Sequence, residues 1–497
     1  MAFSPAAYAL FGLLLYASIA LARTILNGVR NPLNKVPGPL YALFTNLPLK
    51  LSVITGRRVH FVHTLHLKYG PYVRIAPDEV AVNSIQGFRQ IHGIGNGFTK
   101  SPWYQDMVLT DRPGVFSMTD PKRHAARRKL FARPFSKTHI REHWEPAVRE
   151  RIELAVSSMR KEAASTMGGC IVDVMKWWTF MASDVSSKLM FGECFHTLER
   201  GEVSDYMRVL ANVLKGAGIG AELPVVRQVG KMLPFQAAQE FFGGNEFLDA
   251  YGKTAVKNMK ASGSSSRNIF ANIMAEAEKG ERLDDRDVEL EAMGLIVAGT
   301  DTTAFSLTYL IYAVLSRPRL QQQLEDEVAA LPEGYRDADL EALPLLSAVI
   351  EETLRLYGAA PGMLPRMVPS GGIDLDGHFL PDGTTATTHS YCLHRDPNLY
   401  PEPEEFNVSR WLASTSADDK YRLSEAGKHA FSPFGGGSRS CLGVHLAYME
   451  LRLSAAEFFR VCRGARLAPS ATAACMEMEN YFIISPAGHK CEVILKQ

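Results

Sequence analysis

Apolar residues recur at helical spacing along most of this chain, and the period of about 3.6 predicts helices over residues 88–92, 124–131, 142–159, 172–190, Asp285–Leu315, 318–330, 345–356 and 442–462. Alternating runs are few and short, at 72–75, 80–83, Ile373–Leu375 and 491–495. The first two are separated by Ala76-Pro77-Asp78-Glu79, which reads as a hairpin at one end of a small sheet. The expected fold class is therefore mainly α with small β-sheets. No internal repeat is visible, and the Ser-rich stretch 261–267 reads as a loop, not a domain boundary.

The longest predicted helix has clear ends. Asp284 or Asp285 supplies an N-cap, and Ser316-Arg317-Pro318 stops it because proline cannot continue a helix. Its middle is unusual: Ala298-Gly299-Thr300-Asp301-Thr302-Thr303 places glycine, an acid and β-branched hydroxyls where a buried helix prefers none of them. One reading is that Thr302 and Thr303 bond back to carbonyls one turn earlier and bend the helix. The other is that the site needs their chemistry.

At the N-terminus, the uncharged run from Pro5 to Ala22 reaches roughly 27 Å at about 1.5 Å per helical residue, enough to span a bilayer. Arg23, Arg30 and Lys35 follow the run, whereas a secretory signal carries its charge in front. The expectation is a single-pass transmembrane helix whose C-terminal side is cytosolic. Residues 1–35 are then anchor and linker, and residues 36–497 one domain. Val36-Pro37-Gly38-Pro39 forms a stiff exit from the membrane.

Composition narrows the class. Hydrophobic residues make up 46% of 497, enough for a large core, and a net charge of +1 gives no electrostatic case for nucleic acid. Seven cysteines are scattered without a CxxC or CxxH pair, which argues against both a disulfide scaffold and a zinc site and fits a reducing compartment.

One cysteine stands apart. Phe434-Gly435-Gly436-Gly437-Ser438-Arg439-Ser440-Cys441-Leu442-Gly443 delivers Cys441 on a glycine-rich loop to the start of a helix predicted from Leu442. Glycines let backbone approach a flat macrocycle, a helix N-terminus favours a thiolate, and the Arg439 guanidinium suits a carboxylate. This is the setting in which a haem iron takes a thiolate ligand.

On these residues the chain resembles the cytochrome P-450 superfamily of haem-thiolate monooxygenases, whose fold it is then expected to share behind its transmembrane helix. The resemblance implies haem b (iron protoporphyrin IX), with Cys441 as the proximal iron ligand and Phe434 in its loop. It implies propionate contacts from Arg439, from Arg366 in Leu364-Pro365-Arg366, and from His124 and Arg128, four apart on one helix face. The Ala298–Thr303 stretch is similar to the family's oxygen-activation motif. Gly299 would leave room for dioxygen, Thr302 would hydrogen-bond the activated oxygen and hold a water beside it, and Asp301 would connect the site to bulk protons. Glu352, Arg355 and Arg410 would form a buried triad supporting the cysteine loop, with Val408 replacing the usual proline and leaving that turn less rigid.

Lys122, Arg123, Arg127, Lys129 and Arg133 form either an ordinary charged helix face or a patch for an acidic flavoprotein. Lacking a flavin or nicotinamide fingerprint, the chain would draw electrons from an NADPH-dependent cytochrome reductase. The implied setting is the endoplasmic reticulum membrane, with the catalytic domain cytosolic. The chain is similar to fungal microsomal members of secondary metabolism such as trichothecene-pathway hydroxylases, which implies O2 and a hydrophobic terpenoid, polyketide or related substrate. Pocket-lining segments are expected at 98–108, 205–242, 359–363 and 481–484. Two rivals stay open: a reductase-independent isomerase or dehydratase, against which Asp301-Thr302 counts, and a non-catalytic haem or ligand-binding protein.

Overall fold

The computed structural model describes residues 4–165, 170–202, 205–261, 268–270, 273, 283–412 and 420–496. The 262–267 part of the Ser-rich stretch lies outside them. Ten helices position the site: α1 (Pro5–Arg30), α2 (Arg58–Tyr69), α3 (Trp103–Val108), α4 (Pro121–Ala132), α5 (Val174–Phe191), α6 (Asp205–Glu222), α7 (Pro224–Met232), α8 (Asp285–Leu315), α9 (Pro344–Tyr357) and α10 (Val444–Val461).

Helix ends follow local chemistry. Asp284 caps α8 in a capping box with Asp287. Asp120 caps α4 by accepting from the Arg123 N–H, with Pro121 at the first helical position. The expected helix 142–159 instead starts at Glu145 after a break at Trp144, because Lys137–His143 forms its own short helix. The expected 172–190 helix starts at Val174, because Ile171–Asp173 pairs as a strand with Glu492–Ile494.

The hairpin forms as expected between β1 (Tyr72–Ala76) and β2 (Glu79–Val82). It ends a five-stranded sheet completed by β3 (Thr99–Lys100), β4 (Arg366–Met367) and β5 (Thr385–Thr388), in the order β1-β2-β5-β4-β3. β5 runs parallel to β2 and antiparallel to β4. This short ladder brings Lys100 opposite Arg366.

α8 runs through the centre of the large hydrophobic core, packed most extensively against α5 and also against α9 and α10. α1 stands outside that core and is exposed along nearly its whole length. It is long and apolar enough to cross a membrane. The linker after it is fixed, not free: buried Arg74 of β1 donates to the carbonyls of Leu33 (2.8 Å), Val36 (2.9 Å) and Pro39 (3.2 Å).

Candidate active site

The cysteine loop is shaped by backbone. Gly437 has φ +63°, and a Cβ there would stand 1.8 Å from the His92 carbonyl, so only glycine fits. The Cys441 N–H donates to the Phe434 carbonyl at 2.9 Å, and the Phe434 ring packs on Tyr448 of α10 at 5.2 Å. α10 begins at Val444, not Leu442: Leu442 and Gly443 lie in the preceding turn. Burial pushes the Cys441 thiol up, while the Gly443 N–H and the Arg128 guanidinium pull it down. Yet Cys441 keeps exposed surface. The thiol is thus accessible at the end of the glycine loop.

The helix after the loop, α10, packs on α8. Gly294 and Ala298 are exposed and Thr302 is partly exposed in the middle of an otherwise buried helix. Their spacing of four puts them on one face. Gly299 is on another. Its absent Cβ would lie 2.5 Å from Ser186 Oγ of α5, so this glycine permits helix packing and does not open space for dioxygen. Thr302 donates to the Ala298 carbonyl at 2.6 Å, the back-bond that its residue type allows, which leaves its lone pairs facing outward. Thr303 does not back-bond; it donates to Glu450 of α10 at 3.2 Å. Asp301 is buried, and burial alone raises its carboxyl to about 7. It has no ion-pair partner among the described residues. Glu450, also buried, is raised to about 8.

Beside the loop, basic groups converge. Arg128 donates to the Ser440 carbonyl (2.8 Å), and Arg439 donates to the carbonyls of Met118 (2.7 Å) and Thr119 (3.4 Å). Arg366 donates to the Tyr104 hydroxyl at 3.2 Å and the Pro365 carbonyl at 3.0 Å. Sequence reasoning missed Lys100, which is buried over the rings of Tyr104 and Phe116 and donates to the Phe116 carbonyl. Only the two-residue β3–β4 register reveals it.

Burial, then Arg366, Arg439 and Arg128, pull Lys100 well below its ordinary range. Burial and the same cations hold His124 near 3, hence neutral. Among the described residues none of Lys100, Arg128, Arg366 or Arg439 forms a salt bridge with a carboxylate. Lys100, Arg366 and Arg439 line a polar crevice of about 40 Å³ with Gly436 and Ser438. Desolvating that much like charge is costly unless an anion compensates it. The two propionates of a haem held at Cys441 would supply the missing charge, so the residues fit the group.

Arg127 departs from the expected basic patch. It is buried, with one guanidinium nitrogen 2.9 Å from Glu291 and another 3.2 Å from Asp287 of α8. Lys122, Arg123, Lys129 and Arg133 remain on the surface.

The support triad assembles with fully buried side chains. Glu352 accepts from Arg355 (2.8 and 2.9 Å), Arg410 (3.2 Å) and Trp411 (2.9 Å). The turn at Val408 is not left loose, because the Asn407 side chain accepts from the Ser409 N–H at 3.0 Å and caps it. His394 joins triad to loop: its Nδ1 bonds the Arg355 carbonyl at 3.1 Å, and its Nε2 accepts from the Ser432 N–H at 2.9 Å.

The pocket segments converge in part. Trp103, Met107, Leu214, Ala217, Ala221 and Phe482 form one apolar cluster, and the Ile484 N–H donates to the Ala359 carbonyl at 2.8 Å.

Residues 36–472 match the profile of the family described as Cytochrome P450. Among curated relatives, Cytochrome P450 monooxygenase stcB of Emericella nidulans is 40% identical over 477 residues, covering 93% of this chain and 89% of that protein. Cytochrome P450 monooxygenase cypX of Dothistroma septosporum is 39% identical over 480 residues, 94% and 91% of the two chains. Methylphloroacetophenone oxidase of Cladonia uncialis is 33% identical over 389 residues, 75% and 84%. The extent of these matches agrees with a cysteine loop set against a buried acid–threonine helix: the chain belongs to the cytochrome P450 family and is a monooxygenase.

Proposed function

We propose that this chain inserts one oxygen atom from O2 into a hydrophobic natural product, a terpenoid, polyketide or related compound of fungal secondary metabolism. The observation that carries the reading is an accessible Cys441 on its glycine loop together with a buried Asp301 that has no ion-pair partner among the described residues, in the middle of α8. Relatives named as monooxygenases support it, as does one whose name gives an aromatic ketone as its substrate. The apolar and aromatic lining at Trp103, Met107 and Phe482 suits such a substrate.

Haem b, held by Cys441 at the iron and by Arg128, Arg366, Arg439 and Lys100 at the propionates, would supply the centre at which dioxygen is reduced and cleaved. Neutral His124 would contribute an N–H, and Phe434 would pack within the loop. The chain's own residues manage protons. A carboxyl near 7 can release and regain a proton at neutral pH, and the Thr302 oxygen, its hydrogen held by Ala298, can anchor a water beside it.

Electrons come from an NADPH-dependent cytochrome reductase docking on the exposed Lys122, Arg123, Lys129 and Arg133. Residues 1–35 anchor the protein in the endoplasmic reticulum membrane, and residues 36–497 form the cytosolic catalytic domain. Expression with a reductase, incubation with candidate intermediates and mass spectrometry test the reading. Added oxygen that requires NADPH and reductase supports it. Reductase-independent rearrangement, or tight binding without turnover, assigns the chain to one of the other two classes.

A further inference from the structure

Glu222, the last residue of α6, ties together elements far apart in sequence. Its carboxylate accepts from Arg58 Nη1 of α2 at 2.8 Å and from the Trp103 indole N–H of α3 at 3.0 Å. Arg58 Nη2 also reaches Glu79 of β2 at 3.1 Å. The Arg58 side chain is 3% exposed, against 13% for Glu222. On one side of this carboxylate lie α2 and β2, fixed by the main core and the sheet. On the other lie α3 and α6, which with Phe482 enclose the small apolar cluster of the pocket.

The arrangement is built to open. Breaking a buried ion pair is usually costly because it leaves one charge alone. Here Arg58 keeps Glu79 when Glu222 leaves, while Glu222 and the Trp103 indole lie near enough to the surface to be hydrated. Glu79 is raised to about 7 by burial and in part by the neighbouring Glu222, with Arg58 opposing, so the departure of Glu222 favours the ionised Glu79 that takes over as counter-charge to Arg58. Trp103 links the latch to pocket contents, since its ring packs against Phe482 at 6.0 Å and Tyr104 at 5.4 Å.

We propose that Glu222 is a positioning residue that holds the pocket closed, and that bulky substrates pass between α2, α3 and α6 when its bonds to Arg58 and Trp103 open. The proposal rests on the reading of this apolar cluster as the substrate pocket. It makes the latch a selectivity element: large ligands need it open, and small ones do not.

The test uses the haem-loaded full chain and stopped-flow absorbance, with clotrimazole as the bulky iron-binding probe and imidazole as the small one. Glu222→Gln keeps shape and removes charge; Trp103→Phe keeps the ring and removes the donor. Each is expected to raise both association and dissociation rates of clotrimazole about fivefold, the factor for weakening one charge-assisted hydrogen bond. Its Kd should stay within about twofold, and imidazole rates should not change. Glu222→Asp, which restores charge, should recover part of the wild-type slowness. Unchanged clotrimazole rates in both variants would overturn the latch, as would equal acceleration of imidazole, which indicates general loosening. If Glu222→Gln fails to load haem, Trp103→Phe decides. Failure of the wild-type enzyme to bind either probe at iron would instead overturn the haem reading itself.

Discussion

At the residue scale, the proposed chemistry turns on Cys441 and Asp301. Replacing Cys441 by serine removes the accessible thiol that a glycine loop delivers to a helix start. The reduced carbon-monoxide spectrum of Cys441→Ser is therefore expected to lack the red-shifted thiolate band. Asp301 makes a prediction with a sign. Its carboxyl is raised to about 7 by burial, so the protonated form dominates below that pH and is lost above it. If that proton feeds the reaction, product formation falls on the alkaline side with a midpoint near 7, and Asp301→Asn flattens this limb while lowering the plateau about tenfold or more. Thr302→Ala should leave haem binding intact and divert NADPH into peroxide, because electron supply is untouched while the anchored water is lost. A Thr302→Ala enzyme that stays fully coupled means either that the substrate's own hydroxyl supplies the relay or that the assigned chemistry is not oxygen activation, and a substrate lacking that hydroxyl tells the two apart.

A second buried carboxyl, Glu450, bears on folding. An acid whose pKa is higher folded than unfolded stabilises the fold most at low pH, and that contribution is lost as pH rises through the folded value. For Glu450, raised to about 8, stability is expected to decline between about pH 5 and 8, and Glu450→Gln should flatten that decline in a series of melting temperatures.

At the element scale, what the sequence made legible was whatever adjacent residues determine. α8 ran from its Asp284 cap to its proline stop as expected, because both signals are local. Which face of α8 meets which neighbour is not local. Gly299 lies one residue, about 100° around the helix, from Ala298, and only the packed structure shows that Ala298 is exposed while Gly299 faces Ser186. Arg127 and Arg128 differ for the same reason: one step apart, they face Glu291 of α8 and Ser440 of the cysteine loop. His394 and Lys100 were missed because their partners are distant in sequence. Gly299 gives a clean test. Alanine there gains about 1 kcal/mol of helix propensity but forces a Cβ to within 2.5 Å of Ser186 Oγ, an overpacking cost of about 1–3 kcal/mol. Gly299→Ala should therefore lower the melting temperature. Adding Ser186→Ala removes the clashing oxygen and leaves Cβ atoms 3.6 Å apart, so the double variant should recover wild-type stability or exceed it.

At the scale of the whole molecule, two separate features offer apolar surface to a membrane. α1 is exposed along nearly all of its length, and its contact with the rest of the chain is confined to its end, where Gly28 lies under Phe44. Deleting residues 1–30 should therefore leave the haem spectrum and the melting temperature nearly unchanged. It should not release the protein completely. α7 and the helix Leu47–Ile54 both pack on α6 and present apolar side chains outward: Val225 is 72% exposed, Met232 83%, Leu47 56% and Leu51 51%. Exposed apolar side chains gathered on helices around α6 mark a contact surface, and each such side chain inserted into lipid is worth on the order of 1 kcal/mol. The truncated enzyme is thus expected to partition partly onto vesicles of neutral lipid in a flotation assay, independent of salt. Val225→Ser with Met232→Ser in the truncated background should free it about tenfold, the factor expected for losing one to two kcal/mol of insertion. Complete release by the truncation alone would make α1 the sole attachment and leave the α7 face for a protein partner. Retention that salt abolishes would transfer the second attachment from these apolar side chains to surface charge.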